Sequence, residues 1–533
     1  MELEPRLISS VLTETGGKYI QGCCKPRDKC TSNCKAATLV LVWNFLAISV
    51  YHYYGVSVER DAVIRDHRKH PVATEILAMG LLLPIGGWLA DAFFGRYFVI
   101  YYGMWTMWLG AVLSTFSLVL GKVSASYGTH GDRWVSIFSK IVMGAGLGAF
   151  QANIIQFGID QLSVASSTDI VSFIMWYTWT LFAGGIILYF TNNSTPDYTG
   201  ILVVVVCLTL ALCSNFFLNH LLIKEQTTDN PLPLIWSVVL YTIKHRHQWQ
   251  RLFSSQEHRI LSRLDIAKTM YAGPYSGEQV EDVKTFFRVL SIITTCILAC
   301  SGLTNVSYAR DELMKHLQNW PNDTLLYSSC LKLSLTYVNY VSVVTALLLY
   351  KTIIQPLFYN FIPRINMTTK FLLSVLLFFV TIIALLGIEL AAYHHQKNNY
   401  CVYDNKLNAA NNVVYTVEYL WIIIPGVAYG FFVLLLILTG IEFICAQAPF
   451  NMKGLMVGIT YVLFGLGCLI QTAISTPFLY RQPAWEKAPL TCGIWYFMLQ
   501  GVIVIVGLVA AAVMIKKYKL RERSNSINNM IIM

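Results

Sequence analysis

Charge is what this sequence has least of. Of its 533 residues 13% are Asp, Glu, Lys or Arg, 55% are hydrophobic, and the mean hydropathy is +0.54. Soluble domains carry roughly a quarter charged residues, so a water-solvated globule is excluded. At the centre of a bilayer each charge costs at least about 2.5 kcal/mol, and a chain solvated by lipid sheds them. Other absences narrow the function. The sequence has no nucleophile–base set, no glycine-rich phosphate loop and no His/Cys/Asp/Glu constellation, so no enzyme, cofactor or metal site is expected. Cys23, Cys24, Cys30 and Cys34 follow no zinc spacing and read as free thiols, with palmitoylation and zinc binding as the alternatives. Residues 1–35 are polar and hold no short apolar stretch ahead of a small-residue cleavage site, so no cleavable signal is expected.

Long apolar runs are what the chain has instead. A helix crossing ~30 Å of hydrocarbon needs about 20 apolar residues. Such runs fall at about 36–56, 72–90, 97–120, 134–159, 170–191 and 200–223, then at about 285–307, 331–355, 369–392, 415–444, 454–476 and 492–515. The expectation is an all-α membrane protein of 12 transmembrane helices in two six-helix halves. Its segments are a cytosolic N-terminal stretch 1–35, a bundle 36–223, a linker 224–284, a bundle 285–515 and a basic tail 516–533. The linker carries a helical apolar pattern through Trp249, Leu252, Phe253, Ile260, Leu261 and Leu264. Six plus six around a linker is the major-facilitator arrangement, with substrate near the midplane between the halves.

Orientation follows from the basic residues. The formal charge of +10 resides in short loops and in Lys516, Lys517, Lys519, Arg521 and Arg523 after the last apolar run. That is positive-inside anchoring against a lipid bilayer and argues against nucleic acid as a partner. Glycosylation sequons at Asn192, Asn193, Asn305 and Asn322 fall near loops that this topology places outside or in a lumen. Arg60, Arg65, Arg68 and Lys69 in the first outer loop run against the rule, as does an inner-side sequon at Asn366.

Three stretches carry chemistry. Gly86-Gly87-Trp88-Leu89-Ala90-Asp91-Ala92-Phe93-Phe94-Gly95-Arg96-Tyr97 joins spans two and three, with small residues for close packing and an acid and an arginine at a tight turn. Span four runs from Gly144, Gly146 and Gly148 through Gln151, Asn153 and Gln156 to Phe157-Gly158-Ile159-Asp160-Gln161. Span ten ends Gly440-Ile441-Glu442-Phe443 and continues to Gln447-Ala448-Pro449, Met452 and Lys453. An intramembrane acid such as Glu442 must find a cation, a proton or water. It is therefore a functional-site candidate, with a structural ion pair as the alternative.

With these motifs the chain resembles the proton-dependent oligopeptide transporter family of the major facilitators, closest to its animal peptide/histidine branch. The matches are Gly86 to Tyr97, Phe157 to Gln161 and Gly440 to Lys453, with Val280-Glu281-Asp282-Val283-Lys284 before span seven. The resemblance implies proton-coupled symport of di- and tripeptides or histidine-like amino acids, in the plasma membrane or an endolysosomal membrane. It implies that Glu442 binds the peptide amine, that Tyr53 and Tyr54 line the cavity, and that Asn305 supplies a polar contact. Gly86, Gly87, Asp91, Gly95, Arg96, Asp160 and Gln161 become the gating motif.

The departures from the family are coherent. Where it holds a first-span Glu-x-x-Glu-Arg, this chain has Leu46, Ser49 and Val50. Where it holds a fourth-span lysine for the peptide carboxylate stands Gln151, and its fifth-span asparagine is Leu181. Glu442 and His52 are then the candidate proton sites, the histidine because its ordinary pKa near 6.5 suits an acidic lumen. Two readings follow: a transporter with altered proton coupling, or a transport-poor membrane sensor or adaptor built on the same fold.

Overall fold

The structure, a computed structural model, describes residues 35–50, 82–127, 132–162, 167–193, 197–224, 230–247, 262–300, 338–354, 357, 367–396, 423–479 and 493–518. Among them the regular elements are helices, apart from one bridge between Lys268 and Tyr275. The N-terminal half contains α1 (Lys35–Val50), α2 (Leu82–Phe94), α3 (Arg96–Tyr127), α4 (Asp132–Asp160), α5 (Ser167–Asn193) and α6 (Asp197–Leu218). A linker helix, α7 (Pro231–Lys244), follows. The C-terminal half contains α8 (Gly277–Cys300), α9 (Val338–Leu349, prolonged by a wide turn Tyr350–Ile354), α10 (Met367–Gln396), α11 (Ile423–Gln447), α12 (Lys453–Leu479) and α13 (Gly493–Lys517). Each of the twelve expected spans therefore contains a described helix. Six of these are long and apolar enough to cross a membrane on the described residues alone.

The two halves use the same pairing scheme. In the first, α1 bonds to α5 and α6 through Asn44 Nδ2 to Thr180 Oγ1 (2.7 Å) and Trp43 Nε1 to Ser214 Oγ (2.8 Å). There too α3 packs on α4 and α6, and α2 on α4. In the second half α8 packs on α12 and α13, α10 on α11 and α13, and α9 on α11. Each αn thus repeats as αn+7, the internal repeat of a major-facilitator bundle. The expected thinning of span four has a direct cause. A Cβ added at Gly146 would lie 2.4 Å from Thr106 Oγ1 on α3, so the two helices could not approach as they do.

The bundle is inverted relative to a soluble protein. Phe98, Tyr102, Trp105, Leu109 and Phe116 form an exposed stripe along α3, and Trp495, Leu499, Val502, Val506 and Val513 form one along α13. The interior keeps Asn44, Asn153, Gln156, Thr178, Thr439 and Gln500 buried. An apolar outer surface with scattered polar groups held inside an apolar core is the distribution a hydrocarbon solvent favours, since polar groups find partners only among neighbouring helices.

The linker is tied to the second half by a closed ring of four charges. Lys268 Nζ lies 2.7 Å from Asp265 and 2.6 Å from Glu281, and Lys284 Nζ lies 2.9 Å and 2.8 Å from the same two carboxylates. Burial on its own pushes Asp265 and Glu281 up, but hydrogen bonds and charge from the two lysines outweigh it and hold both below the ordinary carboxylate range. Burial likewise pulls Lys268 down, and its two carboxylate partners more than reverse that. Beside the ring Val238, Ala267, Val280 and Val283 form a small apolar core. The lowered carboxylates contribute stability that is complete above their unfolded values and lost as pH falls through their folded ones; raised Lys268 contributes stability lost only as pH rises through its folded value. Amide hydrogen-exchange protection of residues 262–284, corrected for intrinsic rates, is therefore expected to hold between about pH 5 and pH 10 and to be lost as pH falls below the ordinary carboxylate range. Asp265→Asn is expected to cost this segment about 2 kcal/mol at neutral pH.

Candidate functional site: an inter-half gate

The turn between α2 and α3 is built to reach across the bundle. The last residues of α2, Ala90–Phe94, widen into a π turn, and Gly95 closes it at φ 79°, a conformation that favours glycine. Its N–H donates to Ala90 O at 3.1 Å. Arg96 opens α3 and pairs with Asp160 at the end of α4 and, at 3.5 Å, with Asp91. Gln161 continues the clamp: its Oε1 accepts from Ile223 N–H (2.8 Å) and its Nε2 donates to Ile223 O (3.0 Å), fixing the chain after α6. Tyr97 donates to Asn215 on α6 at 3.2 Å. Asp91, Gly95, Arg96, Asp160 and Gln161, quoted together from the sequence, are thus one contiguous network.

Its outer edge contacts the other half. The second oxygen of the Asp91 carboxylate accepts from Leu455 N–H at 3.0 Å, at the first turn of α12. Helix N-termini leave N–H groups unpaired and carry partial positive charge, so Asp91 caps a helix of the opposite half. Backbone must come very close for this. A Cβ added at Gly87 would lie 2.2 Å from Gly454 O, and one at Gly458 would lie 2.6 Å from Pro84 Cα. Gly86 acts within its own half instead. Its carbonyl accepts from Asn153 Nδ2 at 3.1 Å, which fastens α2 to α4.

The repeat of this contact lies between α5 and α9. There Lys351 Nζ stands over the Trp176 ring at 4.3 Å from its centroid and 3.3 Å from Ser172 Oγ. The helix pairs α2–α12 and α5–α9 are equivalent under the n to n+7 shift, yet one uses a carboxylate on a helix N-terminus and the other a cation on an aromatic face. Gln156 Nε2 donates to Cys445 Sγ at 3.2 Å from α4 to α11. All of these lie on the face of the bundle that carries the linker.

Further along α4, Gln151 joins two tyrosines. Its Nε2 donates to Tyr177 Oη (2.5 Å, α5) and to Tyr461 Oη (3.5 Å, α12), while the two hydroxyls are 3.3 Å apart. The residue expected to face a peptide carboxylate is therefore one corner of a neutral polar cluster joining the halves. Around the other departures the packing is apolar: Val50 is fully buried, Leu46 and Leu181 pack against the core, and Ser49 donates to Leu46 O at 2.6 Å.

Glu442 has a cationic neighbour. Its Oε2 lies 3.4 Å from Lys370 Nζ, which projects from the first turn of α10. The ion pair lies within the second half and near the linker face, with Glu442 on the last turns of α11. Sequence reading found the acid and missed the base, because the two are 72 residues apart and no spacing rule links them. Lys351, Tyr177 and Tyr461 were missed as well; their only sequence signal is a polar group inside an apolar run. Tyr53, Tyr54, His52, Asn305, Asn322 and Asn366 lie outside the described residues. Asn192 and Asn193 end α5, and their side chains are likewise outside them.

Known proteins share this architecture. The chain is 20% identical over 510 residues to Solute carrier family 15 member 3 of Rattus norvegicus, covering 86% of this chain and 87% of that one. Among solved structures an auto-inhibited POT family peptide transporter superposes with a TM-score of 0.60 at 13% identity, covering 92% of this chain and 98% of the other. The chain is thus similar in fold to POT family transporters. A POT family transporter in complex with 5-aminolevulinic acid gives a TM-score of 0.56 at 13% identity, over 91% of this chain and 96% of that one. No family model matches the chain. Its apolar helices make the chain an integral multi-pass membrane protein, and the proteins it resembles are a solute carrier and peptide transporters.

The contact between the halves should respond to loss of a single group. Asp91→Asn keeps the shape but removes the charge from the α12 terminus, a change of about 1 kcal/mol. Half-buried Cys445 is bonded by Gln156 of the other half and gains exposure if the halves part, so its maleimide labelling rate, read by peptide mass spectrometry with Cys207 and Cys213 as internal references, is expected to rise about fivefold. An unchanged Cys445 rate would show that the contact does not hold the gate.

Proposed function

We propose that the chain carries small peptides or histidine-like amino acids across its membrane by alternating access, with proton coupling altered relative to the POT family. The observation that supports alternating access is the contact between the halves: its polar bonds among the described residues are single ones that can be exchanged for water, while each half keeps its own network. Asp91 retains Arg96 when it leaves α12, so opening leaves no bare charge. Altered coupling is supported by apolar packing at Leu46 and Val50 and by the neutral cluster at Gln151.

Glu442 is proposed as the amine site. An incoming ammonium replaces Lys370 on its carboxylate, so that the acid keeps a cationic partner throughout; a buried acid with none would be strongly unfavourable. Selectivity then falls on the amine more than on the carboxylate, because Gln151 offers a neutral hydrogen bond where a lysine would offer a charge-assisted one about twice as strong. The orientation proposed puts the linker face in the cytosol, and the membrane is the plasma membrane or an endolysosomal one.

Uptake of labelled dipeptides and histidine into proteoliposomes tests this, with and without an inward proton gradient. Saturable uptake that ignores the gradient is expected, with Glu442→Gln raising KM at least tenfold. Uptake abolished by collapsing the gradient would refute altered coupling, and no uptake of any candidate would favour the sensor or adaptor reading. Gln151→Lys is expected to tighten binding of free-carboxylate peptides by about fivefold; no change would count against a peptide-shaped cavity.

A further inference from the structure

The linker helix α7 has two apolar faces, and the described residues cover only one of them. On the inner side Val238 is fully buried against Ala267, Val280 and Val283, with Leu234, Ile235 and Tyr241 packed beside them. On the outer side Leu232, Trp236, Leu240 and Ile243 are exposed, Trp236 at 68% and Ile243 at 67%. At 100° per residue these four fall within an arc of about 80°, a continuous stripe along the helix. Water does not favour such a face, and it marks a contact surface.

The position of α7 indicates what covers it. Asn230 caps the helix by accepting from Leu232 N–H at 3.2 Å, and the same oxygen accepts from Trp88 Nε1 at 3.1 Å, which ties this end to α2 in the first half. Its middle packs against the start of α8 in the second half. The helix, about 21 Å long, therefore crosses from one half to the other along the linker face instead of pointing away from it. Exposed aromatic residues cluster at the same level: Phe93 and Phe94 beside Trp88, and Phe216 and Phe217 at the end of α6, the last two at 81% and 71% exposure. Aromatic side chains concentrate at the membrane–water boundary. Beyond the stripe come exposed Lys244 and Arg246, and no acid occurs between Pro231 and His247.

We infer that the outer face of α7 docks on the membrane leaflet at the linker side and that its partner is anionic phospholipid. Leu232, Trp236, Leu240 and Ile243 enter the acyl boundary, and Lys244 and Arg246 meet the headgroup charge, as an interfacial amphipathic helix does. The Asp265–Lys268–Glu281–Lys284 ring holds the segment that presents α7. Docking to lipid would couple the composition of that leaflet to the strap joining the two halves, whatever the solute carried.

Photocrosslinking tests the inference on the full chain in nanodiscs. Benzoylphenylalanine is placed at position 236, at 495 as a lipid-facing reference and at 278 as a solvent-facing one, with size-exclusion profiles checking the fold. In phosphatidylcholine–phosphatidylserine discs, position 236 is expected to give phospholipid-mass adducts at about half the yield of position 495 or more, and position 278 almost none. Lys244→Gln with Arg246→Gln is expected to lower the position-236 yield several-fold in these discs and hardly at all in pure phosphatidylcholine. Adducts with peptides from residues 1–34 or 248–261 would overturn the inference in favour of the chain's own segments. A crosslinked dimer would overturn it in favour of a second copy, and absence of any adduct would mean that the face stays in water.

Discussion

The carboxylate of Asp91 resting on the first turn of α12 is the contact on which the arrangement of the two halves depends. A helix that begins inside a bundle has N–H groups with no partner, and without water they need an acceptor. Here the acceptor comes from the opposite half. Gly87 and Gly454 allow the two backbones to approach, the left-handed Gly95 aims the turn, and Arg96 with Asp160 fixes the carboxylate from behind. Gly87, Asp91, Gly95 and Arg96 of the 86–97 stretch all serve that one cap, while Gly86, Trp88 and Tyr97 fasten α2 and α3 to their own surroundings.

The internal repeat gives the gate two positions but not two copies. Where α2 meets α12 the chemistry is an anion at a helix terminus, and where α5 meets α9 it is Lys351 against Trp176 and Ser172. Contacts of these kinds contribute about 1 kcal/mol each. The closed linker face is therefore held by several small terms that a bound solute could offset, which is the energetic condition for a population shift. The Gln151–Tyr177–Tyr461 cluster lies further along the same helices and also joins the two halves.

Hydropathy made the spans legible, because a 30 Å apolar thickness dictates run length regardless of tertiary detail. The gating motif was legible as well: small residues, an acid and an arginine at a helix–helix turn imply close packing and charge pairing wherever they occur. The linker's helical pattern falls mostly outside the described residues. The apolar pattern through Trp249 and Leu252 to Leu264 suggested helix there, and residues 248–261 lie outside the described ones, whereas the described helix is Pro231–Lys244. Pro231 and Pro233 look like helix breakers, yet a proline at the first helical position loses no hydrogen bond.

The sequence by itself determined the solvent and the all-helical, multi-pass fold, since both follow from local composition and run length. The tertiary structure alone decided the partners. It put Lys370 beside Glu442, Cys445 beside Gln156, and Tyr461 beside Gln151. It also showed that one face of α7 is occupied and the other open. Polar groups in an apolar interior take whichever partner the helix packing brings within reach, and that packing is set by contacts hundreds of residues apart, to which no local pattern is sensitive.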